Sequence, residues 1–182
     1  MKSTKILLLS SLFVALTACS AKQPVQQSAA VQPSWAESRV ASLTELAQRE
    51  GYEVEHEGEQ IRLIIPVDGN FHPKRTLLLP SGLVPLSKVA QALRHDDETQ
   101  FHVVGHADSV GDEELNQRLS LERAQAVASV LMLGGVSSQR MQLRSMGEDQ
   151  PRADNSTATG RALNRRVEIV MLPYPTRVAM AD

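Results

Sequence analysis

The chain has 182 residues, of which 22% are charged, and a formal net charge of −2. This near balance excludes general nucleic-acid binding and adhesion to anionic lipid by charge, because both need a marked basic excess. The length suits one globular domain with an added segment. The only cysteine is Cys19, so no internal disulfide can form.

The first residues are organised as an export signal. A short basic start, residues 1–5, precedes an apolar run over residues 6–16, which is about half the length that a membrane-spanning helix needs. Leu16-Thr17-Ala18-Cys19 resembles a bacterial lipobox. The resemblance implies removal of residues 1–18, acylation of Cys19 with chains such as palmitate, and, from Ser20, delivery to the outer membrane. A plain signal peptide with an incidental cysteine is the alternative.

Residues 19–34 are rich in Gln, Ser, Ala and Pro and lack a periodic apolar face, which predicts a flexible tether. At about 3.3 Å per residue it reaches roughly 50 Å when stretched. A helix is predicted from Trp35 to Glu50, with Ser34 as its cap and Gly51 as its end. Its apolar stripe is expected to pack on the domain, and partner binding through the stripe and Trp35 is the alternative.

Helical and strand patterns follow one another through the rest of the chain. Strands are predicted at residues 52–57, 60–65, 100–104, 141–146 and 167–172, helices at 81–94 and 113–133, and a long loop at 147–159. This order predicts an α+β fold with a mixed sheet and two main helices on one face. The predicted boundaries are 35–58 for an N-terminal helix and strand extension, 59–173 for the main domain and 174–182 for a tail.

The stretch from Gly105 to Ala124 brings an acid and a base towards one site. Asp108 follows a predicted strand, and Arg123 lies about two turns into the next helix. A carboxylate beside a guanidinium suits a zwitterion, because Asp can bind an ammonium group and Arg can bind a carboxylate through two parallel donors. Spacing alone favours an ordinary salt bridge between Asp108 and Arg123, since such pairs are common and weak.

Several motifs surround this pair in a fixed order. They are Gly105-His106-Ala107-Asp108, Asn116-x-x-Leu119-Ser120-x-x-Arg123-Ala124, Gly147-Glu148-x-x-Pro151, Gly160-Arg161 and Asn164-Arg165-Arg166-Val167-Glu168. Over residues 60–171 the chain resembles the OmpA-like peptidoglycan-binding family, which includes the Pal lipoproteins and the flagellar stator anchors such as MotB. The resemblance implies a βαβαβ sandwich that grips the diaminopimelate side chain of the cell-wall peptide non-covalently, without a cofactor.

Site residues can be carried over from that family position by position. The resemblance implies that Asp108 holds the ammonium group of the ligand and Arg123 its carboxylate. It also implies that Asn116, Asn164 and Arg165 build the pocket wall.

Two departures from the family pattern lie beside this site. Ala107 stands where threonine is usual, which removes a hydroxyl from the pocket edge. The basic loop His72-Pro73-Lys74-Arg75 follows Phe71 where many members carry acidic residues. This loop allows an acidic partner as an alternative to the wall ligand.

An enzyme and a nucleic-acid binder fit the sequence less well. His106 with Asp108 or with His102 could suggest a general base or a metal site, but no third ligand stands at a recognisable spacing. No Ser or Cys nucleophile has a base assembled beside it, so neither catalysis nor a metal is predicted. The arginine-rich second half lacks the interleaved aromatics that stack on bases.

Residues 46–54 resemble the YfiB-type lipoproteins, which sequester a periplasmic repressor of a diguanylate cyclase. This resemblance implies an alternative function, a wall-docked signalling accessory that acts through a periplasmic protein partner. A wall-docking component of a secretion or pilus machine fits equally well. The preferred prediction remains a lipid-anchored outer-membrane protein whose periplasmic domain binds diaminopimelate-type peptidoglycan and ties the membrane to the wall.

Overall fold

A five-stranded sheet with the order β1-β2-β5-β3-β4 forms the centre of the computed structural model, which describes residues 33–73 and 75–175. The elements are α1 (Glu37–Arg49), β1 (Glu53–Glu57), β2 (Gln60–Pro66), α2 (Pro80–Leu93), β3 (Thr99–Gly105), α3 (Glu113–Leu133), β4 (Met141–Ser145), α4 (Ala158–Asn164) and β5 (Arg166–Pro173). β3 and β4 pair in parallel and the other neighbours are antiparallel. The predicted mixed sheet is confirmed.

One face of the sheet is apolar along every central strand. The register aligns Leu63, Ile169 and Val103 across β2, β5 and β3, and all three are buried. Because side chains alternate along a strand, this register puts the apolar set of each strand on the same face. α3 packs against β3, β4 and β5, and α2 packs on α3, which confirms the prediction of two main helices on one face.

The main helices have clear sequence signals at their ends. Pro80 stands in the first turn of α2, where its missing N–H costs no hydrogen bond. The side chain of Asp112 accepts a hydrogen bond from the N–H of Leu115 and caps α3, which is the usual role of Asp at this position. Gly134 follows the last residue of α3. Both helices match the predicted segments to within one residue.

The first helix packs into the same core as the sheet. In the turn before α1, the N–H of Ser34 donates to Glu37 Oε2 at 2.8 Å and the N–H of Glu37 donates to Ser34 Oγ at 3.2 Å. This reciprocal pattern is that of a capping box. Leu43 and Ala47 are buried in the core. The apolar stripe of α1 therefore packs on the domain as predicted and is not a free docking face.

The short helix α4 lies partly in the segment that was predicted to be a loop. It begins after Thr157, whose Oγ1 accepts a hydrogen bond from the N–H of Gly160 at 2.9 Å. Seven residues make two turns, which is too short for an apolar periodicity to show in the sequence. The capping hydroxyl of Thr157 was the only local signal.

The two ends of the sheet have different neighbours. The front end is where β3 finishes, with Gly105 beside Val167 of β5. The rear end holds the β1–β2 turn and the start of β3. α1 begins at the rear end. Two contacts hold it there: the N–H of Ala36 donates to Glu59 at 3.1 Å, and Arg39 pairs with Asp96 at 3.1 Å.

Some predictions lie outside the described residues. These are the export signal, the acylation of Cys19, the tether up to residue 32, and the tail from residue 176 onwards. Within residues 33–73 and 75–175, none of the helices combines the length and the apolar character that crossing a bilayer requires.

The close contact between β3 and α3 gives a test of the fold. A Cβ built on Gly105 would stand 1.9 Å from the carbonyl oxygen of Ser120. Gly105→Ala should lower the free energy of unfolding by roughly 1–3 kcal/mol or more, because the helix backbone has to move. Urea denaturation followed by circular dichroism measures this. Gly58→Asn is the control, since it lies in an open turn at φ +57, which Asn tolerates. Equal stability of Gly105→Ala and the wild type would contradict the prediction.

Candidate ligand-binding site

A cleft of about 820 Å³ opens at the front end of the sheet. The loop after β2, the loop after β3, the first half of α3 and the end of α4 form its walls. The lining residues are Val67, Asp68, Gly69, Phe71, His72, Pro73, Ala107, Asp108, Val110, Leu115, Asn116, Leu119, Arg123, Arg161 and Arg165. Four of the five predicted site residues, Asp108, Asn116, Arg123 and Arg165, therefore share one cleft.

Asp108 is held by the loop that leaves β3. Its Oδ1 accepts from the N–H of Val110 at 3.2 Å, which is the local turn that Asp commonly makes with its own backbone. Its Oδ2 accepts from Arg165 Nη1 at 2.5 Å. The residue is 8% exposed. Asp108 thus presents a fixed carboxylate whose charge is already shared with one arginine.

Arg165 bridges two carboxylates at the edge of the cleft. Its Nε and Nη2 donate to Asp68 at 3.1 and 2.6 Å, while its Nη1 donates to Asp108. The fork on Asp68 has the two-pronged geometry that favours Arg over Lys. These hydrogen bonds, to Asp68 first, raise the pKa of Arg165 above its usual range. Arg165 is therefore charged, and its hydrogen-bond donors are already used by two carboxylates, so it has little capacity to bind a further anion.

Arg123 differs from Arg165 in having no acidic partner. It is 6% exposed, and its Nε is buried without a hydrogen-bond partner in the described part of the chain. Among the described residues, Arg123 has no carboxylate oxygen within 4 Å of its guanidinium nitrogens. Burial lowers its pKa, the positive charge of Arg165 lowers it further, and Asp108 opposes both. The ordinary salt bridge between Asp108 and Arg123, which spacing alone favoured, is absent from the described structure because Asp108 bonds to Arg165 instead.

The two predicted asparagines have different positions. Asn116 lies in the wall, and its Nδ2 donates to the carbonyl oxygen of Asp108 at 3.1 Å and to Glu148 Oε2 at 2.7 Å. Asn164 is fully buried and does not line the cleft. It accepts from the N–H groups of Arg152 and Ala153 at 2.8 and 3.0 Å. Asn164 therefore supports the loop behind the wall.

Both departures from the family pattern lie at the cleft. Ala107 is buried at its edge and presents a methyl group there, and His72 and Pro73 form part of the rim. His72 is exposed, and its Nδ1 lies 2.9 Å from the carbonyl oxygen of Pro73. Lys74 lies outside the described residues. His72 and Pro73 are thus placed where they can meet a ligand that enters the cleft.

His106, which directly follows β3, is buried and neutral. His106 is 1% exposed, and burial lowers its pKa to about 4, so its ring is neutral at neutral pH. Its Nε2 lies 3.6 Å from Glu168 Oε1. In the described ranges, no group of three or more His, Cys, Asp or Glu side chains is arranged to hold a metal ion.

The arginines of the second half mostly bond within the domain. Arg140 donates to the carbonyl oxygen of Thr99 at 3.1 Å. Arg152 pairs with Glu53 at 3.2 Å, and Arg166 pairs with Glu168 at 2.7 Å. The prediction was that one or two of these arginines line the pocket and the rest are solvated or pair with acids of the same domain. Arg161 and Arg165 are the two that line the cleft.

The sequence analysis gives no site role to Asp68 and names Arg161 only within the motif Gly160-Arg161. Asp68 lies in the stretch Pro66 to Asn70, which the sequence showed only as a break between elements. Arg161 lines the cleft and donates through Nη1 to the carbonyl oxygen of Asn155 at 2.9 Å. The sequence shows Asp68 only as an acid shortly after a strand. Its pairing with Arg165 cannot be predicted from that position, because Arg165 lies far away in the chain.

Comparisons with known proteins agree with this geometry. Residues 70–165 match the model of the OmpA family. The chain is 34% identical to the outer-membrane lipoprotein YfiB of Pseudomonas aeruginosa, over 91% of this chain and 90% of that protein. It is 39% identical to the "Probable lipoprotein YiaD" of Escherichia coli, over 73% of this chain and 61% of that protein.

A solved structure, the cell wall anchor of the T6SS from Pseudomonas aeruginosa, superimposes with a TM-score of 0.64 at 28% identity, over 74% of this chain and 96% of that chain. The fold and the cleft thus define an OmpA-like α+β domain. The chain belongs to the OmpA family. This membership confirms the predicted family and the prediction that the chain is not an enzyme.

The buried Arg123, which has no acidic partner, gives a test of the cleft. Arg123→Met should raise the free energy of unfolding by about 1–2 kcal/mol, because an unpaired buried charge is replaced by an apolar side chain of similar length. Asp108 keeps Arg165 as its partner in this variant. Urea denaturation measures the change. Arg118→Met, on the exposed face of the same helix, is the control and should change the value by less than about 0.5 kcal/mol. A less stable Arg123→Met variant would contradict this account.

Proposed function

We propose that the domain binds diaminopimelate-type peptidoglycan non-covalently and ties the outer membrane to the cell wall through an acylated Cys19. The observation that carries the proposal is the buried Arg123 without an acidic partner, facing a cleft that also contains Asp108. A buried charge without a partner is costly, so its retention at the wall of an open cleft indicates an anionic ligand.

The ligand carboxylate binds at Arg123. A guanidinium offers a carboxylate two parallel N–H donors, and such a pair is strong where water is excluded. Arg123 is 6% exposed, so the bond forms in a largely dry environment. Losing one partner of a buried, hydrogen-bonded charge pair costs roughly 2–5 kcal/mol, which makes this carboxylate the main determinant of affinity.

The ligand ammonium group binds at Asp108. A carboxylate has about four lone-pair positions, and Asp108 uses one for Val110 and one for Arg165. The remaining positions are available to a cation. A diaminopimelate side chain has a carboxylate and an ammonium group on one carbon, so both charges can be bound within one cleft.

The layout of the two sheet ends supports a tethering role. The cleft lies at the front end, while Ala36 and Arg39 are fixed at the rear end by Glu59 and Asp96. Ser34 therefore lies at the opposite end of the sheet from the cleft. An attachment through the residues before Ser34 leaves the cleft free to bind a wall ligand.

The relatives support this location and role. YfiB is by name an outer-membrane lipoprotein and YiaD a lipoprotein, and the T6SS protein is a cell wall anchor. For the present chain the same names support a periplasmic domain, an outer-membrane location and a wall ligand. The diaminopimelate specificity comes from the paired charges of the cleft.

A second function is favoured by the extent of the match to YfiB, which covers almost the whole of both chains. In this alternative the protein is a wall-docked signalling or assembly accessory and acts through a periplasmic protein partner. The apolar stripe of α1 is buried. The exposed part of the loop after Phe71 is therefore the better candidate for the partner surface.

The binding proposal predicts a specific pattern of affinities. Calorimetry of the full-length protein in detergent should detect binding of a diaminopimelate muropeptide. Asp108→Ala and Arg123→Met should each weaken binding by about 30-fold or more, which corresponds to at least about 2 kcal/mol. Amidation of the side-chain carboxylate of the ligand should have the same effect as loss of Arg123.

Arg118→Met is the control for this experiment and should bind like the wild type. Circular dichroism should show that all variants are folded. Folded wild-type protein that does not bind the muropeptide would overturn the proposal, and the partner at the loop after Phe71 would then become the leading function.

The anchoring proposal predicts the fate of two variants in cell fractionation. Cys19→Ala should release the protein from the outer-membrane fraction, because the acyl chains provide the membrane affinity. Ser20→Asp should keep the lipid but move the protein to the inner membrane, as the lipobox resemblance implies. Cys19→Ala protein that stays in the outer membrane would overturn the lipid anchor.

A further inference from the structure

We infer that Asp68 is a positioning residue that keeps Asp108 available for the ammonium group of the ligand. The inference rests on the proposed function and concerns how the cleft recognises one half of its ligand. Asp68 lies in the loop after β2 and lines the cleft. It touches Asp108 only indirectly, through the guanidinium of Arg165.

The guanidinium of Arg165 is divided unequally between the two acids. Two of its nitrogens, Nε and Nη2, donate to the two oxygens of Asp68. A single nitrogen, Nη1, donates to one oxygen of Asp108. The bidentate arrangement is the stronger one and fixes the plane of the guanidinium. Asp68 therefore limits Arg165 to a single hydrogen bond with Asp108.

Removal of the Asp68 charge would change this division. With a neutral amide at position 68, the guanidinium can rotate and place two nitrogens on Asp108, which becomes its only carboxylate partner. Asp108 would then be neutralised more completely, and fewer of its lone pairs would remain for an incoming cation. An ammonium group would have to displace one arm of Arg165 from Asp108.

The carboxylate half of the ligand should not depend on this arrangement. Among the described residues, no hydrogen bond joins Arg123 to Asp68, Asp108 or Arg165, so its donors stay free when Asp68 is replaced. Loss of one negative charge from the cleft does not disfavour an anion. The two charges of the ligand are thus recognised by two separable sets of residues.

The experiment compares two peptides on the full-length protein in detergent by calorimetry. One is a muropeptide tripeptide that contains diaminopimelate, and the other contains 2-aminopimelate, which keeps the terminal carboxylate and lacks the second amino group. Asp68→Asn should weaken binding of the diaminopimelate peptide about tenfold, as expected for one charged hydrogen bond. Binding of the 2-aminopimelate peptide should stay within about twofold of the wild-type value.

Glu53→Gln is the matched control. Glu53 is as exposed as Asp68 and is also paired with an arginine, Arg152, but it lies away from the cleft. It should leave both affinities unchanged. Asp68→Glu keeps the charge and should restore most of the preference for the second amino group.

Two outcomes would overturn the inference. An equal loss for both peptides in Asp68→Asn would mean that Asp68 only supports the shape of the loop, and no loss for either would mean that Arg165 keeps its position without it. In both cases wild-type binding would leave the proposed function standing. Wild-type protein that binds neither peptide would overturn the proposed function and the inference together.

Discussion

The contact between Gly105 at the end of β3 and Ser120 in α3 determines where the charges of the cleft lie. The two backbones approach so closely that a Cβ on Gly105 would stand 1.9 Å from the carbonyl oxygen of Ser120. Asp108 follows Gly105 by three residues, and Arg123 follows Ser120 by almost one helical turn. A shift of the helix relative to the strand would therefore move Arg123 relative to Asp108. The packing of β3 on α3 therefore fixes Arg123 within a helix and fixes the start of the loop that holds Asp108.

Two arginines of the cleft differ in their pairing with acidic residues. Arg165 is shared by Asp68 and Asp108, whereas Arg123 has no acidic partner. A cation that is buried without a partner lowers the stability of the free domain, and the bound carboxylate would relieve this cost. Functional sites often carry such a penalty, because groups arranged for a ligand are not arranged for the stability of the unbound protein. These two arginines of the cleft therefore differ in the donors that they leave free.

The start of the first helix and the cleft lie at opposite ends of the sheet. α1 is fixed at the rear end through its first turn, and the cleft opens at the front end. The reciprocal hydrogen bonds of Ser34 and Glu37 fix the turn from which α1 starts.

The sequence by itself determined much of this protein. The periodicity of α2, α3 and the central strands was strong because each buries one continuous apolar face, and the order of elements predicted the mixed sheet. The motif around Asp108 and Arg123 located the cleft because it lies at one strand–helix connection. The segment that became α4 was not recognised as a helix, since two turns are too short for a periodic pattern.

Only the tertiary structure decided how the charges of the cleft are paired. From spacing, Asp108 and Arg123 looked like a simple salt bridge, but Arg165, which is distant in sequence, occupies that position on Asp108. Asp68 is paired in the same way, because β2 and β5 are neighbours in the sheet and bring Asp68 and Arg165 together. Asn164 was expected in the pocket wall, and the structure places it behind the wall, bonded to the loop at Arg152 and Ala153. Pairing between distant charges depends on strand order and on distances of a few ångströms, and neither is encoded in any local stretch of the chain.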